Sequence, residues 1–146
     1  MPRYLPAVLV LATIAAPAGA APPVGKRTTT PAQILGAMGQ TDPEAELRQQ
    51  VAAASAHPLG TIDNPVRAGG PEGERFYLGR LRCADGSIPH VGAARPGGVG
   101  AFGSVVDLFP LDCGAAAPGK SVLLIDKYDE EHVEDRAPPG FAIVPR

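Results

Sequence analysis

Glycine and proline divide most of this chain into segments that are too short for long helices. The 146 residues include 18 glycines and 17 prolines, and both residue types are unfavourable inside helices and strands. From residue 57 to residue 146, short apolar segments alternate with turn sequences such as Gly69–Gly73. This pattern predicts a mainly β domain with a small antiparallel sheet of four or five strands, and an α+β fold is the alternative.

Five segments of this region carry the alternation or the apolar runs that are typical of strands. They are residues 62–68, 74–83, 104–113, 121–126 and 141–144. The first predicts an edge strand, because Pro65 cannot donate a ladder hydrogen bond. The apolar run at 122–125 predicts a strand that is buried on both faces. Residues 89–103 are rich in glycine and predict a long loop.

Two cysteines offer a covalent link to a core that has few large side chains. The chain has no tryptophan, and aromatic residues make up 5% of it. Cys83 and Cys113 each end a predicted strand, and we predict that they form a disulfide, as small exported domains often do. Free or metal-bound thiols are the alternative. Because the pair lacks a C-x-x-C spacing, we expect the bond to be structural rather than catalytic.

The N-terminal region has the pattern of an export signal. Arg3 precedes an apolar run over residues 7–16, and the small residues at 18–20 suit a processing enzyme. The run has about half of the ~20 apolar residues that a bilayer-spanning helix needs. We therefore predict a signal peptide over residues 1–20, export to the periplasm or medium, and no membrane span after processing. An uncleaved anchor is the alternative.

A leader and a short helix are predicted next. Residues 21–42 contain prolines and threonines without an apolar period, which predicts a flexible leader. A helix is predicted over residues 43–56, with Leu47, Val51 and Ala54 on one stripe. This stripe is too small for independent stability, so the helix packs weakly on the β domain or stays loose.

The charge balance restricts the class of partner. The whole chain has 13 basic and 15 acidic residues and a net charge of −2, and removal of residues 1–20 takes away Arg3 and no acid, which gives −3. Nucleic-acid binding usually requires a basic surface. We therefore expect no nucleic-acid partner, and an envelope protein or an anionic polymer as the partner class.

A glycine-rich segment matches a nucleotide-binding pattern in spacing alone. Gly98–Gly103 has the G-x-G-x-x-G spacing of dinucleotide turns. Such turns follow a strand and open a helix, whereas this one follows Pro96 and precedes a predicted strand. We interpret it as a flexible or ligand-covering loop and expect no cofactor.

An acidic segment offers candidate metal ligands. Residues 126–135 hold six acids, one histidine and one tyrosine, and oxygen and nitrogen donors suit calcium, zinc or manganese. The candidate ligands are Asp126, His132 and Glu134. The spacing matches neither D-x-[DN]-x-[DN]-G nor H-E-x-x-H, and a solvated loop is the other interpretation.

Arginines upstream of this segment offer a candidate binding surface. Residues 67–95 contain five arginines and three acids. This excess predicts a positively charged patch, opposite in sign to the acidic segment, that could bind an anionic polymer or a partner protein. The candidates are Arg75, Arg80 and Arg82. In the alternative, which we favour, these arginines pair with Asp126, Glu134 or Asp135 across the sheet.

Catalytic residues are not grouped in a recognisable motif. Ser104 begins a predicted strand and has no G-x-S-x-G around it. A catalytic pair would have to join His90 to Asp85 or Asp107. A small exported metal-dependent or general acid/base hydrolase that uses His90 or His132 is therefore the alternative to a binding function.

Four stretches carry a resemblance to other exported proteins. They are residues 63–67, 77–86, 103–107 and 137–141. In these stretches the chain resembles small exported bacterial proteins that carry no assigned activity, and the resemblance covers residues 57–146. It implies no site, substrate or partner. The expected function is binding, or a structural accessory role in the bacterial envelope.

Overall fold

Two helices and seven strands make up the part of the chain that the structure describes. The structure is a computed structural model, and it describes residues 43–146. Helix α1 spans Pro43–Ala54 and helix α2 spans Gly70–Arg80. The strands are β1 (Val66–Arg67), β2 (Leu81–Arg82), β3 (His90–Val91), β4 (Arg95–Val99), β5 (Val105–Asp112), β6 (Lys120–Asp126) and β7 (Ala142–Ile143). The predicted signal peptide (1–20) and leader (21–42) lie outside the described residues.

Five of these strands form one mixed sheet. Its order is β1-β6-β5-β3, and β4 also pairs with β5. β5 and β6 form a long antiparallel pair, from Asp107 opposite Ile125 to Asp112 opposite Lys120. β1 runs parallel to β6, with Val66 opposite Ile125, while β2 and β7 form a separate antiparallel ribbon. The predicted mainly β fold is confirmed, as is an edge strand within residues 62–68.

The strand predicted over residues 74–83 is wrong, because helix α2 occupies most of that segment. Pro71 lies in the first turn of α2, where its missing amide hydrogen costs no helical hydrogen bond. The buried side chains then recur with the helical spacing i, i+3, i+4 and i+7. They are Glu74, Tyr77, Leu78 and Leu81. Strand structure in this segment is confined to the two residues of β2.

The long loop predicted over residues 89–103 is also wrong, because this segment contains β3 and β4. His90 and Val91 pair with the end of β5, and Arg95–Val99 pairs with its beginning. A register shift between Pro96 and Val99 interrupts the pairing. Partners on β5 thus order a glycine-rich stretch whose own sequence favours turns.

β6 is not buried on both faces, contrary to the prediction from its apolar run. The side chains of Leu123 and Ile125 are 2% and 0% exposed, whereas Val122, which precedes Leu123, is 53% exposed. Because side chains alternate along a strand, one face of β6 contributes to the core and the other remains open at Val122.

The main core lies between α2 and the sheet. Its buried members are Leu59, Val66, Ala68, Tyr77, Leu78, Leu81, Phe109, Leu111, Leu123 and Ile125. A smaller cluster forms where α1 packs through Leu47, Val51 and Ala54 on Phe102, which is the stripe expected from the sequence. In the described part of the chain, neither helix has the length and apolar character that crossing a membrane requires.

The predicted disulfide between Cys83 and Cys113 is confirmed. The two Cα atoms are 5.8 Å apart, and Cys83 is 1% exposed. Cys83 directly follows β2 and Cys113 directly follows β5, so the bond joins the β2–β7 ribbon to the main sheet. The Ala84 amide donates to the Ala117 carbonyl at 2.9 Å beside it.

We predict that replacement of both cysteines by serine lowers the free energy of unfolding by about 3 to 4 kcal/mol. Without the disulfide, a loop of about 30 residues is no longer closed in the unfolded chain, and the unfolded chain gains conformational entropy. Urea unfolding of the oxidised protein and of the double variant measures the difference. The wild-type protein unfolded in the presence of reductant is the control and should match the variant. Equal stability of the three samples would contradict the prediction.

Candidate functional site

A groove crosses the open face of the sheet at β3, β5 and β6. Its volume is about 490 Å³, which lies within the range of ~300–1,000 Å³ that is usual for ligand sites. Pro110 and Val122 lie opposite each other in the β5–β6 pair and give the groove an apolar lining. By strand alternation they project away from Phe109 and Leu123, which belong to the core.

Charged side chains surround this apolar lining. Asp112 lies opposite His90 on one side and opposite Lys120 on the other, and Arg95 lines the groove as well. Within residues 43–146, no ion pair includes Arg95 or Lys120. Asp112, the one acidic residue that lines the groove, accepts a hydrogen bond from the Gly114 amide at 2.8 Å. The excess of positive charge suits a ligand that carries carboxylates.

Ser121 is next to the groove in sequence, but its side chain lies on the other face of β6. It is opposite Leu111 and alternates with Val122, so strand alternation places its hydroxyl on the side of Leu123, which belongs to the core. Its Oγ is buried and has no hydrogen-bond partner among the described residues.

Arg80, one of the three arginines predicted to form a binding surface, is buried instead. Its Nε donates to the Val144 carbonyl at 2.9 Å, and one terminal nitrogen donates to the Glu134 carbonyl at 3.2 Å. The other terminal nitrogen pairs with Asp135 at 2.6 Å. The guanidinium also lies 5.2 Å from the centre of the Phe76 ring. Arg80 therefore follows the alternative interpretation, in which an arginine pairs with an acid of the 126–135 segment.

The other two arginines have separate surroundings. Arg82 donates to the carbonyls of Gly79 and Leu81. Arg75 is exposed and lies 3.9 Å from Glu72 on the same helix. Because Arg80 is buried, the three arginines do not form one continuous surface.

The three candidate metal ligands are engaged with other protein groups. Asp126 is fully buried and accepts hydrogen bonds from the Ser104 hydroxyl and the Tyr128 amide. His132 and Glu134 lie 3.6 Å apart. Within residues 43–146, no group of three or more histidine, cysteine or acidic side chains is arranged to hold a metal ion.

Arginines occupy the surroundings of His132 and Glu134. Arg67 donates to Asp129 at 2.9 Å and lies 3.1 Å from a ring nitrogen of His132, while Arg136 pairs with Glu134 at 2.8 Å. Burial opposes ionisation of Glu134, but hydrogen bonds from Arg136 and His132 outweigh burial and hold the pKa of Glu134 well below its usual range. Ion pairs thus connect the acidic segment to β1, through Arg67 and Asp129, and to α2, through Arg80 and Asp135.

The two carboxylates considered as partners of His90 have hydrogen bonds to other residues. His90 lies opposite Asp112, and Asp107 is five positions further along β5, or about 17 Å at the rise of an extended strand. Asp107 accepts instead from Lys127 at 2.7 Å. Asp85 accepts hydrogen bonds from the amide and hydroxyl of Ser87.

A buried carboxyl group on α2 was missed by the sequence analysis. Glu74 is 5% exposed and one of its oxygens has no hydrogen-bond partner among the described residues. Burial, the negative charge of Asp107 and a hydrogen bond with Asp107 raise the pKa of Glu74 to about 7. The helical stripe of Glu74, Tyr77 and Leu78 was the available signal, and the prediction of a strand hid it.

The groove was missed for a similar reason. Its residues come from β3, the β3–β4 connection, β4, β5 and β6, and the first three of these lie in the segment that was predicted to be a loop. His90 was named as a catalytic candidate, but nothing in the sequence placed it opposite Asp112. Comparisons with protein-family models, with curated proteins and with solved structures found no match.

We predict that Arg80→Ala lowers the free energy of unfolding by about 2 to 3 kcal/mol, because two backbone carbonyls lose their donor and Asp135 loses its ion pair. The matched control is Arg75→Ala, whose exposed side chain should change stability by less than about 0.5 kcal/mol. Urea unfolding of both variants measures the effects. A similar effect of the two substitutions would contradict the conclusion that the buried contacts of Arg80 stabilise the fold.

Proposed function

We propose that the protein is an exported domain that acts by binding, and that its groove takes an extended segment of an envelope protein that carries carboxylate groups. The observation that carries the proposal is the pair Arg95 and Lys120, which have no ion-pair partner within residues 43–146 and line an apolar groove. Unpaired cations beside an apolar surface favour a ligand with both acidic and apolar side chains.

The apolar lining favours a peptide over an anionic polymer. Pro110 and Val122 can bury the apolar side chains of a peptide, whereas a uniformly charged polymer would gain nothing from that contact. β3 ends the strand order of the sheet, and an extended peptide can hydrogen-bond to the edge of a sheet while its side chains alternate into pockets. The groove runs beside this edge.

The sequence and the disulfide support export. The pattern of residues 1–20 predicts a signal peptide, and a disulfide between Cys83 and Cys113 is compatible with an oxidising compartment. We propose that the mature protein acts in the periplasm or outside the cell, and that the resemblance to small exported bacterial proteins reflects a shared binding or accessory role.

We predict that the exported protein begins at Ala21, because the small residues at 18–20 suit cleavage after Ala20. N-terminal sequencing of protein recovered from the periplasm or medium of an expressing bacterium is the measurement. A variant with bulky leucines at positions 18 and 20 is the control and should accumulate unprocessed. Recovery of wild-type chain that retains Met1 in the cytoplasm would contradict export.

For the groove, we predict that a fluorescein-labelled peptide of alternating valine and glutamate binds the protein, and that Lys120→Glu weakens binding at least about tenfold, or about 1.4 kcal/mol. The reversed charge repels the glutamates of the peptide. Fluorescence anisotropy measures the dissociation constant. Binding should also weaken with salt, because the attraction is electrostatic.

Two controls separate the groove from general charge effects. Arg75→Glu makes the same change of charge on the exposed face of α2 and should leave binding unchanged. A peptide in which glutamine replaces glutamate should bind the wild-type protein more weakly. Absence of binding, equal effects of the two charge reversals, or binding of an anionic polysaccharide such as polygalacturonate in place of the peptide would each contradict the proposal.

A further inference from the structure

The face of the sheet that carries the groove has three rows of side chains that run across the strands. Because side chains alternate along a strand and paired residues share a face, the register of the strands fixes which side chains belong to each row. The Lys120 row contains His90, Asp112 and Lys120. The central row contains Gly92, Pro110 and Val122. The Arg95 row contains Arg95, Leu108 and Leu124.

The central row forms an apolar floor. The Gly92 amide donates to the Pro110 carbonyl at 2.8 Å, and a Cβ on Gly92 would lie 3.2 Å from the Cβ of Pro110. The glycine therefore leaves space beside the Pro110 ring. On the other side of Pro110, the side chain of Val122 is largely exposed. An apolar side chain of a ligand would gain free energy by covering this floor.

One cation lies at each end of the floor. Lys120 is two positions from Val122 along β6, and Arg95 is opposite Leu108, which is two positions from Pro110 along β5. Both cations are exposed and border the groove. Neither takes part in an ion pair within residues 43–146. Along the strands, the face therefore presents a cation, an apolar floor and a second cation.

The distance between the outer rows matches the spacing of alternate side chains in an extended peptide. The rows are four positions apart along β5, from Asp112 to Leu108, or about 13 Å at the rise of an extended strand. Side chains i, i+2 and i+4 of an extended peptide point to one side and cover the same length. Lys120 and Arg95 are also offset by two strand spacings, or about 10 Å. Their long, flexible side chains can extend over the floor from opposite sides.

We propose that the groove selects an extended peptide segment with the pattern acid-x-apolar-x-acid. One carboxylate pairs with Lys120, the apolar side chain covers the central row, and the other carboxylate pairs with Arg95. This inference rests on the proposed function and specifies the sequence that the groove takes. A strictly alternating peptide presents only acids or only apolar side chains to the sheet, so it engages either the cations or the floor. Asp112 disfavours an acid elsewhere in the Lys120 row, because like charges repel.

The first test compares two fluorescein-labelled peptides of identical composition on the full-length mature wild-type protein. The matched peptide is Thr-Glu-Thr-Val-Thr-Glu-Thr, and the permuted peptide is Thr-Glu-Thr-Glu-Thr-Val-Thr. Fluorescence anisotropy should give a dissociation constant at least about tenfold lower for the matched peptide. The permuted peptide cannot place valine on the floor while both glutamates meet a cation. Because the protein is the same in both measurements, the folding of a variant does not affect the comparison.

A double-mutant cycle assigns each carboxylate of the matched peptide to its cation. Lys120→Gln and Arg95→Gln are each combined with peptides in which one glutamate is replaced by glutamine. Replacement of a glutamate should have little effect when its own cation is absent, and its full effect when only the other cation is absent. The glutamate that couples to Lys120 also gives the direction in which the peptide runs.

A substitution in the floor tests the apolar contact. Val122→Thr replaces one methyl group by a hydroxyl group and should weaken binding of the matched peptide about fourfold, the effect of one buried methyl group. The matched control is Val99→Thr, because Val99 is an exposed valine on β4 that does not line the groove. This control should bind the matched peptide as tightly as the wild type does. Urea unfolding verifies that both variants fold.

The outcomes separate this inference from the proposed function. Equal affinity for the matched and permuted peptides, coupling of both glutamates to one cation, or equal effects of the two valine substitutions would overturn the acid-x-apolar-x-acid pattern. Each of these results would leave binding of acidic peptides in the groove intact. If the matched, permuted and alternating peptides all fail to bind, the proposed function is wrong and this inference is wrong with it.

Discussion

The guanidinium of Arg80 connects the end of α2 to the C-terminal segment, and much of the fold is organised around that contact. The side chain reaches Glu134, Asp135 and Val144, while the Arg80 carbonyl accepts from the Val144 amide at 2.9 Å. This double attachment sets the register of the β2–β7 ribbon that follows immediately. It also closes one side of the core in which Tyr77 lies. A charge is buried here, and it is tolerated because every hydrogen bond that it donates is directed at a fixed acceptor.

The face of the sheet that carries the groove is covered at one end of β5 and open at the other. Val106, near the start of β5, is fully buried under the turn at residues 100–103, and a Cβ on Gly100 would come within 2.7 Å of the Val106 side chain. Pro110, on the same face of the same strand, instead borders the groove. The glycine-rich turn therefore covers one end of the face and leaves the other end accessible.

The overall class and the covalent link could be predicted from the sequence, because both depend on local or compositional signals. Short apolar segments between glycine and proline predicted strands, and two cysteines in a chain with the pattern of an export signal predicted one bond. The assignment of residues 74–83 failed because apolar residues at Tyr77 and Leu81 satisfy a period of two as well as a helical stripe. β3 and β4 could not be predicted, since their order comes from pairing with β5 and not from their own residues. The groove could not be predicted for the same reason, because it joins side chains from elements that are distant in sequence.

The pairing of β1 with β6 has a consequence for the time at which this protein can fold. Val66 lies opposite Ile125, and Leu81 lies opposite Ile143, so both the sheet and the ribbon join positions about 60 residues apart. Such non-local pairing slows folding, since loop closure must precede the contacts that stabilise it. A chain that leaves a ribosome or crosses a membrane from its N-terminus cannot complete the sheet before Asp126 has emerged, or the ribbon before Ile143 has emerged. During passage through a narrow channel, the N-terminal partner of each pair therefore emerges about 60 residues before the strand that it pairs with.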